Sequence, residues 1–177
     1  MKIDPILIRL PVKFGLFGLL LTVLAFLVFY YAGLMPWRNL VSLILDTLLV
    51  GAFCFVAIKE FKTNYNGGIL SFYHGMTLGF VTYVIIALGF GVFYRFFIDI
   101  VEPDFISNYI TLAKEDMVSR KILIVASLGE ESYDKNFIAL ETTSSGVLML
   151  DAIIKKALIG LFLTPIFSVI LRTHLAK

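Results

Sequence analysis

Apolar residues run along this chain in long stretches, and polar residues are confined mostly to the gaps between them. A helix rises about 1.5 Å per residue and a bilayer's hydrocarbon core is about 30 Å thick, so a crossing needs roughly 20 mostly apolar residues. Three stretches meet that length directly: Phe14 to Leu34, bounded by Lys13 and Pro36; Leu40 to Ile58, whose one charge is Asp46; and Ser71 to Tyr94, closed by Arg95. Ala157 to Leu171 is short, but Asp151 to Lys156 can lie at the interface, with Lys155 and Lys156 extending their apolar stems toward the head groups. This fourth helix is expected to begin near Thr143 to Ser145 with a hydroxyl N-cap, to end by Arg172 and to kink at Pro165. The pattern predicts an all-α, polytopic membrane protein: one membrane domain over 1–177 with four transmembrane helices at about 14–34, 40–58, 71–95 and 150–171. Met1 to Leu10 reads as a short surface helix interrupted by Pro5 and Pro11, or as a frayed tail. Tyr30, Tyr31, Leu34 and Met35 offer no small-x-small cleavage site, so the first apolar run is expected to be an uncleaved span.

Between the third and fourth spans the pattern changes. Phe105, Tyr109, Ala113 and Met117 recur at i+4 with Ile106 and Ile110 beside them, which predicts an amphipathic helix opened by Pro103 and Asp104. Lys121 to Leu128 is nearly all apolar but too short to cross, and reads as a buried helix turn, a strand or a segment dipping into the outer leaflet. A second polar helix is expected from about Glu130 to Leu140, with Tyr133, Phe137 and Leu140 on its apolar side. Together these predict a helical extracytoplasmic hairpin over about 98–149, with Phe105, Tyr109, Ala113 and Met117 as its partner-facing stripe.

Composition sharpens this picture. The AVILMFWYC set makes up 59% of the 177 residues and only 16% are charged, with mean hydropathy +0.93; soluble domains are nearer about 45–50% and about 25%. Disorder, a disulfide scaffold and nucleic-acid binding are excluded, and a net charge of +2 implies no polyanionic partner. Cys54 is the single cysteine, so no internal disulfide forms. Basic residues in short loops stay on the cytoplasmic side. With the N-terminus inside, that side holds Lys2, Arg9, Lys13, Lys59, Lys62, Arg172 and Lys177 against Asp4 and Glu60, seven basic residues to two acidic. Both termini are therefore expected in the cytoplasm. Tyr30, Tyr31, Trp37, Tyr94, Phe96 and Phe97 then mark the outer interface, and Phe61, Tyr65, Phe72 and Tyr73 the inner one.

Candidate chemistry is sparse. Asp46 sits six residues past Leu40, roughly 9 Å into its span, where a carboxylate is costly unless paired, protonated or wetted. Ser42 precedes it by one turn and Arg95 approaches the outer end of span three, so Asp46 and Arg95, with Ser42, are the expected intramembrane polar site. Ser71, Gly75 and Gly79, continued by Ala87 and Gly91, form a small-residue ridge that suits close helix packing, first within the bundle and alternatively in a homo-oligomer. His74 and His174 have no partner at metal-ligand spacing, and Thr77, Thr82, Tyr83 and Thr164 make no evident polar stripe for a channel. Glu115-Asp116 and Glu130-Glu131 are adjacent carboxylates that point to different sides of a helix, unsuited to an acid–base pair. No catalytic residue, cofactor site or metal site is expected.

The Gly67-Gly68, Ser71-Phe72 and Gly75 series and the Pro103-Asp104-Phe105 exit resemble a bacterial four-span integral membrane family catalogued as domain of unknown function 4199. The resemblance implies a four-helix inner-membrane protein with no established activity and no catalytic residues to carry over. The function expected is a non-enzymatic accessory or scaffold subunit that shows an acidic amphipathic segment to a partner membrane complex. The alternative is a small transporter or lipid- or polyprenol-handling protein with a cleft between spans two, three and four. The lipid bilayer is the expected partner in either case.

Overall fold

The structure, a computed structural model, describes residues 5–34 and 40–173. Expectations placed on Lys2, Asp4, Met35, Pro36, Trp37, His174 and Lys177 lie outside the described residues. Among the described residues the fold is all-α and four helices are long and apolar enough to cross a membrane, which makes the chain a multi-pass membrane protein by helix composition. In order these are α1 (Ile6–Tyr31), α2 (Leu40–Glu60), α3 (Phe72–Phe96) and, after three shorter helices, α7 (Ser145–Ile170). Between α3 and α7 lie α4 (Phe105–Ser119), α5 (Lys121–Leu128) and α6 (Glu130–Ala139). π-helical turns extend α2 over Phe61–Tyr65 and α3 over Phe97–Val101. The chain divides into two compact units, Met1–Gly91 with Ala152–Lys177 as the first and Val92–Asp151 as the second.

The first unit carries most of the span surface. α1 does not break at Pro11; it runs from Ile6 and buries Leu10, Pro11, Gly15, Gly18, Thr22 and Phe26 along one face. Pro11 costs the helix the bond to the Leu7 carbonyl, close to the N-terminal turn in which Arg9 N–H donates to the Pro5 carbonyl at 3.0 Å, and it is buried beside Leu10. α3 is the central span: 44% of its apolar window is buried inside the protein, against 22–28% for the other three. Its glycines explain why. A Cβ on Gly75 would lie 2.6 Å from Ser168 Oγ, and one on Gly79 would collide with Thr164, so α7 approaches the backbone of α3 directly. The small-residue ridge is thus used inside the bundle for Gly75 and Gly79, while Ala87 and Gly91 are buried and exposed Ser71 accepts the His74 N–H at 3.3 Å as a helix cap. At the far end of α7, Thr173 N–H donates to the Leu70 carbonyl at 3.0 Å and Thr173 Oγ1 accepts the Leu70 N–H at 3.0 Å. Lys62 Nζ donates to the Leu171 carbonyl at 2.9 Å and ties the same end to the turn after α2.

The second unit is built on aromatic contact. Phe105 is 1% exposed and meets Tyr94 and Phe97 edge-on at 5.7 and 6.1 Å. This corrects its place in the expected partner-facing stripe: Phe105 belongs to the unit's own core, and Tyr109, Ala113 and Met117 are half-buried behind it. α6 turns Tyr133 inward, stacked on Phe137 at 6.0 Å. Lys114 of α4 donates to Glu141 Oε1 at 2.6 Å and sits 5.1 Å from the Phe137 ring centroid, which closes the helical hairpin. Gly129, at φ 84° and ψ 159°, separates α5 from α6 in a backbone conformation that is essentially glycine-only. α7 opens as expected, with Ser144 Oγ accepting the Val147 N–H at 3.4 Å.

Candidate functional site

A charge inside a span needs an intramembrane partner, and Asp46 finds one on α7. Lys156 Nζ donates to Asp46 Oδ2 at 2.5 Å, and the two side chains are 4% and 27% exposed. Four alternating crossings make α2 and α7 parallel. Asp46 stands fourteen residues before Glu60 and Lys156 fourteen before Ile170, so each lies roughly 21 Å of helix from those ends and their depths agree. The Lys156 ammonium also lies 3.9 Å from the centroid of the Phe90 ring on α3, a cation–π contact that strengthens where water is absent. Phe90 in turn meets Phe26 of α1 edge-on at 5.8 Å. One layer of the first unit therefore joins all four spans through an aspartate, a lysine and two phenylalanines.

This differs from the sequence expectation in two respects. Lys156 does not extend to the interface; it is buried, while its neighbour Lys155 is exposed. Arg95 is not what Asp46 binds: its Nε donates to Asp99 Oδ2 at 3.4 Å, one turn along its own helix. The physical reason is reach and desolvation. Arg95 stays among exposed groups of the second unit, 56% exposed at its side chain, whereas Lys156 has no water to turn to and takes the carboxylate at its own depth. Ser42 lies half-buried one turn before Asp46.

Below this layer the α3–α7 contact continues as a row with a step of four. Lys156, Gly160, Thr164 and Ser168 of α7 run along Phe90, Tyr83, Gly79 and Gly75 of α3, with the Tyr83 ring lying against the backbone of Gly160. The α7 half of the row went unread in the sequence, although the small residues Gly160, Thr164 and Ser168 at i+4 carry the same signal as Ser71, Gly75 and Gly79. Four span hydroxyls bond within their own helices: Thr22 donates to Leu19, Thr47 to Leu43, Thr82 to Leu78 and Ser168 to Thr164 carbonyls, at 2.7–2.9 Å, whereas the Thr164 Oγ1 is buried against Gly79 without a hydrogen-bond partner among the described residues. Cys54 is fully buried, with Sγ 3.7 Å from the Gly79 carbonyl. Phe61 packs edge-on against the His74 ring at 5.4 Å. Among the described residues no three His, Cys, Asp or Glu side chains gather where a metal ion would fit.

The site is thus an ion pair over an aromatic floor: chemically a clamp, whose single partly exposed element is the Asp46 carboxylate. Comparison with curated proteins and with solved structures returns no match. A family model, Protein of unknown function (DUF4199), matches residues 13–173, nearly the whole chain. On that match this four-span chain belongs to the DUF4199 family.

Proposed function

We propose that this chain is a non-enzymatic accessory or scaffold subunit of a membrane complex, with its spans as a self-contained anchor and its second unit as the surface offered to a basic partner. One observation carries the reading. The charges inside the spans neutralise each other at Asp46 and Lys156, whereas α6 turns Tyr133 inward and leaves Glu130, Glu131 and Asp134 exposed. Residues 92–151 hold ten acidic side chains against five basic ones, and a positively charged protein patch is their natural complement. The distribution of lysine and arginine supports a bacterial inner membrane orientation with both termini in the cytoplasm and the acidic unit outside.

Purification at native expression level in mild detergent, followed by mass spectrometry, tests the reading. The expected result is a stoichiometric protein partner that dissociates at high salt and is lost in a Glu130→Lys/Glu131→Lys/Asp134→Lys variant. A specific lipid retained in place of a protein would overturn it in favour of lipid handling. The orientation is checked with single cysteines placed in the second unit of a Cys54→Ser background, which are expected to react with a reagent that does not cross membranes.

A further inference from the structure

We infer that α5 is an interfacial helix, immersed in the head-group and acyl boundary of the same bilayer that the spans cross. None of its eight residues is buried. Ile122 is 86% exposed, Leu123 72% and Leu128 60%, and Val118 just before it 59%. Eight residues rise only about 12 Å, so the helix cannot span. A helix that docks on a protein groove presents apolar residues at i, i+3, i+4 and i+7 and keeps a polar back. α5 has no polar back over its middle: Ile122 to Ala126 are five consecutive apolar residues, which at about 100° per residue cover the whole circumference. A helix apolar all round is surrounded by apolar material. The protein's own unit covers Ile124 and Val125 only in part and leaves Val118, Ile122, Leu123 and Leu128 exposed, so the medium around those remaining apolar sides is lipid.

Two further observations agree. The second unit begins at Val92 in the last turns of α3 and ends at Asp151 inside α7, so both of its ends are ends of candidate spans with exposed apolar side chains such as Val92, Phe96, Val147 and Leu150. Charge is also segregated: from Met117 to Gly129 the only ionising residues are Arg120 and Lys121, while the acidic residues lie on either side. Arg120 is ion-paired to Asp116 at 3.4 Å and Lys121 lies over the Tyr133 ring at 5.1 Å, which holds both basic groups at one end of the apolar helix, where lipid phosphates would lie. The inference does not depend on the partner reading above, because α5 and the carboxylates of α6 are separate surfaces joined at Gly129.

The test uses the full chain in vesicles of phosphatidylcholine and phosphatidylglycerol whose acyl chains carry bromine. In a Trp37→Phe background, Ile122→Trp and Ile138→Trp each give a single indole, on α5 and on the exposed side of α6. Bromolipid is expected to quench the indole of Ile122→Trp several-fold more than that of Ile138→Trp, and aqueous acrylamide to do the reverse. Equal quenching of both by acrylamide would place α5 in water and overturn the inference. Protection of the α5 indole from both quenchers would overturn it too, since a protein partner or a second copy would then cover the helix. Leu123→Trp carries the same comparison if the first variant fails to accumulate.

Discussion

The two units contain the same small device in two solvents. In the first, Lys156 binds Asp46 and lies over Phe90, with the lysine 4% exposed. In the second, Lys114 binds Glu141 and lies near Phe137, with side chains 27% and 61% exposed. What differs is the alternative open to each charge when the contact is lost. Lys114 and Glu141 return to water, so their pair is a surface ion pair of modest worth. Lys156 has only hydrocarbon and protein around it, so its pair is obligatory once the helices are inserted. The remaining cohesion follows the same division: the first unit relies on close backbone approach at glycines, the second on aromatic side chains that water drives together.

The largest effect is expected from breaking the buried pair on one side. Asp46→Ala leaves Lys156 without its carboxylate and should lower stability by about 3–5 kcal/mol, read as the unfolding midpoint in detergent. Asp46→Leu combined with Lys156→Met should recover most of it, since both charges are then gone. An unchanged single variant would erase the contrast between the two units. The helix contact comes next. Gly79→Val drives a side chain into Thr164 and should cost up to about 3 kcal/mol, with partial rescue of the milder Gly79→Ala by Thr164→Gly.

In the second unit the effects are smaller. Gly129→Ala forces an L side chain into a glycine conformation and should cost of order 1–2 kcal/mol, seen as local loss of hydrogen-exchange protection in α5 and α6 with α1 to α3 unchanged. The smallest concerns pH. The hydrogen bond and charge of Lys114 hold the Glu141 carboxyl below its ordinary value. Its folded form therefore binds the proton less readily than the unfolded chain. The pair's contribution is present above the ordinary carboxylate range and is lost as pH falls through the lowered value. Glu141→Gln should flatten that acid limb slightly, and added salt should do the same to the native chain.

Several parts of the fold were readable because they depend on short spacing alone. Span length, the amphipathic repeat of Phe105 to Met117, the start of α7 at Ser145 and the Gly75–Gly79 ridge each follow from neighbours within a few residues. Asp46 was readable as a costly charge for the same reason. Its partner was not, since Lys156 lies 110 residues away and its pattern beside Lys155 equally describes a basic pair at an interface. Adjacent helix residues point about 100° apart, and only the packing of α7 on α3 turns Lys156 inward and leaves Lys155 out.

The chain's local order of apolar and polar residues thus determined that it carries four helices long and apolar enough to cross a membrane, with a helical, acidic excursion before the last of them, because in hydrocarbon a helix satisfies its backbone within a single continuous apolar run. Which residues meet across those helices was decided by tertiary structure. Depth and rotation select partners from distant parts of the chain, and neither is encoded within one helix.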